Sequence, residues 1–152
     1  MLMKSDFIEY LSPEAVIKLD GKNKREVLDE IVTYAATKSF AEKSQLLEAV
    51  WKREKMMTTG VGQGLALPHV RVAGFGEPVV AIGICANPVK DYKSLDNEPI
   101  RLIVFLAAPD ADQDTYLKLL GSISYKLKNQ ETVKKIIELI DSPDKIYNLL
   151  KK

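Results

Sequence analysis

One short stretch gathers most of the residue types that chemistry uses. Arg53-Glu54 is followed by Thr58-Thr59, by three glycines at alternate positions (Gly60, Gly62 and Gly64), and then by Pro68-His69-Val70-Arg71. His69 is the only histidine in the chain. A neutral imidazole, with an ordinary pKa of about 6.5, is a competent nucleophile near neutral pH, and histidine passes groups in two steps through a covalent intermediate. Pro68 fixes its own φ and biases Leu67 toward extended backbone, so the imidazole is expected at a stiff exit from a strand into a loop. Phosphoryl transfer asks a protein for positioning and charge stabilisation. The guanidinium forks of Arg53 and Arg71 match phosphate oxygens, and Thr58, Thr59 and the amides of Gly60, Gly62 and Gly64 are further candidate donors to an anion.

Each of these residues has a plainer reading as well. The glycines also describe an ordinary irregular loop: no Gly-Lys-Ser/Thr follows them, and their spacing is not that of a dinucleotide fingerprint. A lone histidine among apolar neighbours is often a packed one. Arg53 is equally a cation favoured at a helix C-terminus, and Arg71 a surface charge. One His and one Cys are too few for the usual transition-metal sites, so neither metal nor cofactor is expected. Cys85 lies in the apolar run Val79 to Cys85, where a free thiol packs like a small hydrophobe.

The elements that must hold these residues follow from periodicity. Apolar stripes at helical spacing are formed by Val27, Leu28, Ile31, Val32 and Ala35; by Leu46, Leu47, Val50 and Trp51; by Tyr116, Leu119, Leu120, Ile123 and Leu127; by Val133, Ile136, Ile137 and Ile140; and by Ile146, Leu149 and Leu150. Ser142-Pro143 and Ser12-Pro13-Glu14 carry helix-start signals. Val79 to Cys85 and Leu102 to Ala108 are apolar on both faces, rich in β-branched residues, and stopped by Pro88 and Pro109, as suits strands covered from both sides. Val16 to Leu19 and Leu65 to Leu67 are shorter strand candidates. With 152 residues, no repeat and no dividing linker, the chain reads as a single α/β domain over residues 1–152, a small β-sheet flanked by helices on both faces.

Bulk properties narrow the function. The 22 Lys plus Arg nearly balance 21 Asp plus Glu, which gives no support to nucleic acid as a partner. The basic run Lys22 to Arg25 reads as a solvated surface. No stretch approaches the ~20 apolar residues of a membrane helix, and Met1 to Leu11 lacks a signal-peptide core, so no membrane insertion is expected and the cytoplasm is the default compartment.

The pattern Arg53-Glu54-x4-Thr59-Gly60-Val61-Gly62-x-Gly64-x-Ala66-x-Pro68-His69 resembles the signature of the fructose/mannitol-type EIIA domains (EIIA type 2) of the bacterial phosphotransferase system. Leu95 to Leu106 is similar to the same family, especially its nitrogen-regulatory branch, and the resemblance runs from about Phe7 to Leu150. It implies a mixed sheet flanked by helices, and a phosphoryl group accepted on Nε2 of His69 from HPr or a nitrogen-branch relative. Arg53 would help to bind that phosphate. Transport members pass the group to a cysteine of an EIIB domain, whereas regulatory members bind and control target proteins. A regulatory role is expected here, with fructose or mannitol uptake as the alternative and a purely protein-binding module as a third reading. A homodimer is compatible with any of them. One departure stands out: the family's second histidine, in the pattern His-Leu-x-x-Leu, is matched by Tyr116-Leu117-Lys118-Leu119-Leu120. A phenol carries no imidazolium charge, so a less stabilised phosphohistidine is expected, and Tyr116 is also readable as core.

Overall fold

The computed structural model describes residues 6–39, 41–73 and 76–152. Two 3-10 turns, Phe7–Tyr10 and Pro13–Ala15, lead into strand β1 (Val16–Leu19). Helices α1 (Lys24–Thr37) and α2 (Lys43–Met56) follow, then β2 (Gly60–Gly62), β3 (Leu65–Ala66), β4 (His69–Val72), β5 (Val79–Val89), β6 (Ile100–Pro109), α3 (Gln113–Leu127), α4 (Gln130–Glu138) and α5 (Pro143–Lys151). All five apolar stripes lie on helices, except that Ile140 falls in the turn after α4. Three helices begin at side-chain caps: Asn23, Asp112 and Asn129 accept from the backbone N–H of Glu26, Thr115 and Glu131, which satisfies N–H groups that the helix leaves without partners.

The sheet is mixed. β6 is central: it pairs antiparallel with β5, which pairs parallel with β1. On its other side β6 pairs in parallel with β3 and then β4, laid end to end, and β2 closes the β3 side as an antiparallel hairpin. Both faces are covered. One core joins Leu28, Ile31 and Val32 of α1 and Leu46 and Val50 of α2 to Val70, Val72, Ala81, Ile103 and Phe105. The other joins Leu119, Ile123, Val133, Ile136, Ile146 and Leu150 to Val80, Ile82, Leu102, Val104 and Leu106. Burial of each such Leu, Ile, Val or Phe contributes about 1.5–3 kcal/mol, so alternate residues of the two central strands hold helices on opposite faces.

Three expectations are corrected. Pro88 does not stop β5, which continues to Val89; the pairing with β6 slips between Ile84 and Val89, and proline is tolerated at such an irregularity because it has no N–H to place in the ladder. His69 does not leave a strand for a loop; it opens strand β4. Lys24, within the run read as solvated, has only 15% of its side chain exposed and pairs with Glu54 at 2.9 Å.

Candidate functional site

β4 packs beneath α2 at the edge of the sheet, and the start of α3 lies on the other face. Between them runs an open groove of about 580 Å³, lined by Ala49, Lys52, Arg53 and Met56 from α2, by His69, Val70 and Arg71 from β4, and by Asp110 and Tyr116. In a strand, residues two apart share a face. His69 and Arg71 therefore point together, while Val70 and Val72 enter the core under α1 and α2.

The His69 ring is half-buried, and its Nδ1 lies 2.6 Å from the carbonyl oxygen of Leu67. A carbonyl only accepts, so in the neutral ring the proton sits on Nδ1 and the Nε2 lone pair is free. Burial is the main influence holding the His69 pKa below its ordinary value; the bond to Leu67 opposes this, Arg53 lowers it further, and Glu54 acts upward. The imidazole is thus kept uncharged, in one tautomer, facing cations. Tyr116 lies beside it, ring centroids 6.0 Å apart and planes tilted by 46°. Burial pushes the Tyr116 phenol up to about 12 against the pull of Arg71 and Arg53, so it stays protonated.

Arg53 occupies the last turn of α2 and donates from Nη1 to the carbonyl of Met57 at 3.2 Å. Its neighbour Glu54 turns inward. That carboxylate takes the Lys24 ammonium at 2.9 Å, the Thr59 amide at 3.2 Å and the Thr59 hydroxyl at 2.5 Å. Because a carboxylate only accepts, Thr59 donates to it, and the Tyr92 hydroxyl 2.6 Å away donates to Thr59. Burial is the first cause that raises the Tyr92 pKa, with the charge of Glu54 second. Lys24 also lies 4.6 Å above the Tyr92 ring and 5.5 Å from that of Trp51. This buried knot ties α1, the end of α2, β2 and the segment after β5. Nothing in the sequence pattern singled it out, beyond Glu54 standing next to Arg53.

The remaining sequence candidates lie apart from His69. Thr59 is buried and its hydroxyl is engaged by Glu54 and Tyr92, so it is closed to an anion in the groove. Thr58 donates to the Lys93 carbonyl. Gly60, Gly62 and Gly64 build the β2–β3 hairpin, whose β3 strand sits at the level of Leu102 and Ile103, whereas His69 sits at Leu106. Four residues at ~3.3 Å each put Leu65 roughly 13 Å from His69 along the sheet. The glycines serve shape: Gly62, Gln63 and Gly64 all have positive φ (108°, 59° and 80°) in the turn, and a Cβ on Gly60 would run into the Lys93 carbonyl. Asp96 anchors the turn by accepting from the Gln63 amide at 2.8 Å. The cradle expected from glycine amides is therefore a structural hairpin, and the cations around His69 come from α2 and β4. Cys85 is buried in the core, its thiol pushed up to about 12 mainly by burial. No group of three or more possible metal ligands occurs among the described residues, and none of the described helices is long and apolar enough to cross a membrane.

The family model described as phosphoenolpyruvate-dependent sugar phosphotransferase system, EIIA 2, matches residues 9–152. The chain belongs to this family. It is 29% identical over 143 residues to a nitrogen regulatory protein of Bradyrhizobium diazoefficiens, covering 93% of this chain and 92% of that one. It is 32% identical over 135 residues to the fructose-specific EIIABC component of Bacillus subtilis, covering 88% of this chain but only 21% of that much longer protein. The fold matches the crystal structure of nitrogen regulatory protein IIA-Ntr from Neisseria meningitidis with a TM-score of 0.86, at 24% identity and with 95% of this chain and 98% of that one covered. The chain is accordingly an EIIA type 2 phosphotransferase component, similar to a nitrogen regulatory protein over 93% of its length.

Proposed function

We propose that this EIIA domain is a histidine phosphocarrier in which Nε2 of His69 accepts a phosphoryl group from an HPr-type donor. The observation that carries the reading is the 2.6 Å contact between Nδ1 and the Leu67 carbonyl, which leaves Nε2 unprotonated on a ring that lines a groove with Arg53. Nε2 attacks phosphorus, the donor's P–N bond breaks, and the donor leaves as neutral imidazole. The His69 ring gains positive charge as the new P–N bond forms. Its Nδ1–H becomes a stronger donor, and the Leu67 oxygen is already in place to accept it. Arg53 faces the incoming oxygens, and a guanidinium's preformed fork suits that task. The reverse sequence delivers the group to an acceptor.

Likeness to nitrogen regulatory proteins over nearly their full length favours a regulatory use of this chemistry, in which the charge state of His69 controls binding to a target protein. A second reading, delivery to an EIIB cysteine during sugar uptake, is favoured by the match to the fructose-specific component. Incubation with a phosphorylated HPr-type donor should give an acid-labile, alkali-stable phosphate that His69→Ala lacks; equal labelling of both chains overturns the assignment. Chase with a phosphorylatable EIIB domain separates the two uses, since rapid transfer marks uptake and a persistent label marks regulation.

A further inference from the structure

Beyond Arg53, the groove holds a second cation in a defined posture. The Arg71 guanidinium carbon lies 5.3 Å from the centroid of the Tyr116 ring, over its face, and the same ring lies 6.0 Å from that of His69. Arg71 forms no salt bridge among the described residues; the acidic Asp114 near the start of α3 is taken by Lys118 at 3.0 Å. The Tyr116 hydroxyl likewise makes no hydrogen bond to the described residues. What Tyr116 offers is therefore its aromatic face, to which a guanidinium is attracted electrostatically. A free arginine at an exposed strand edge samples many rotamers, and holding it over a ring removes much of that freedom before any anion arrives.

We infer that Arg71, held over the ring of Tyr116, is a second phosphate-binding cation for phosphorylated His69, with Tyr116 as the positioning residue that presents it. This rests on the reading of His69 as phosphoryl acceptor. Arg71 comes from the same strand face as His69, two residues on, and Arg53 comes from α2 on the other wall of the groove. A phosphoryl group on His69 thus meets cations from two sides. The site needs no second imidazole for charge, because a guanidinium stays charged at every pH the protein meets.

The experiment measures the rate of phosphoryl uptake from a phosphorylated HPr-type donor, and the lifetime of the phosphohistidine, for the native chain and four variants. Arg71→Gln should slow uptake roughly 10- to 100-fold, the scale of one lost charge-assisted hydrogen bond. Tyr116→Ala should lose most of the same factor, and Arg71→Gln/Tyr116→Ala should lose little more than Arg71→Gln alone. Tyr116→Phe, which keeps the face and removes the hydroxyl, should behave as native; this rescue separates presentation of Arg71 from any role of the phenol. Far-UV circular dichroism and urea midpoints check that all variants fold. Native rates in Arg71→Gln, or a Tyr116→Phe loss equal to that of Tyr116→Ala, overturn the inference while His69 phosphorylation stands. A native chain that never labels overturns both.

Discussion

Lys24→Met tests whether the buried knot beneath Arg53 holds the molecule together. The substitution keeps an unbranched apolar stem against Trp51 and Tyr92 and removes only the ammonium. Glu54, whose side chain is 2% exposed, is then left with two hydrogen bonds from Thr59 and no countercharge. Removing one partner of a buried pair costs about 3–5 kcal/mol, because the other charge stays desolvated. The two remaining bonds and the 15% exposure of Lys24 argue for the lower end, about 3 kcal/mol. For a domain of this size each kcal/mol moves Tm by about 2–4 °C, so the midpoint should fall by roughly 6–12 °C. Urea denaturation followed by circular dichroism measures the free energy directly. The companion variant Lys24→Met/Glu54→Gln removes the stranded charge, keeps an acceptor for Thr59, and should recover most of the loss. A single-variant cost below about 1 kcal/mol, or a double variant no better than the single, would refute the reasoning.

Four further outcomes follow from the site and its supports. In an NMR titration the single histidine should show a midpoint below 6.5, raised by Arg53→Met, since burial and Arg53 both lower it. A histidine pKa depressed by folding contributes stability that is fully present above its unfolded value near 6.5 and is lost as pH falls through the folded value, so His69 should weaken the fold on that acid side; His69→Gln should flatten this part of the stability profile. Gly60→Ala, which drives a Cβ into the Lys93 carbonyl, should cost about 1–3 kcal/mol by chemical denaturation. Cys85, buried and with its thiol at about 12, should resist a thiol reagent at pH 8 until urea unfolds the chain.

The helices were legible because their information is local: five apolar stripes and the Ser142-Pro143 start of α5 act over a few residues. The order of strands was not, because pairings such as His69 with Leu106 join residues far apart in the chain, and only the packed core selects them. β4 escaped notice because the segment after Pro68 was read as a loop, and only Val70 and Val72 of its four residues are apolar. His69 and Arg53 were singled out from residue type and motif, and both line the groove. Thr59 was misplaced for a physical reason: its hydroxyl suits a phosphate, but a buried carboxylate at Glu54 needs donors more. Lys24 was invisible for the same reason, since a basic run at a helix start looks solvated until the inward acid is known.

Why a glycine hairpin roughly 13 Å from His69 shares one sequence signature with it becomes clear from the link Leu67-Pro68. The Leu67 amide donates to the Thr59 carbonyl at 2.9 Å, the Leu67 carbonyl accepts from His69, and the Pro68 carbonyl accepts from the Leu106 amide at 3.1 Å. Proline has no N–H, so every backbone polar group of this two-residue link is used. Thr59 in turn is fixed by Glu54, and Gly60 must be glycine to lie against Lys93. The oxygen that sets the tautomer of His69 is therefore held by a chain of bonds running back through the hairpin to the residue beside Arg53. One run of sequence carries both the nucleophile and the backbone that fixes its proton on Nδ1, and a loosened hairpin should disturb the reactivity of His69 before it unfolds the domain.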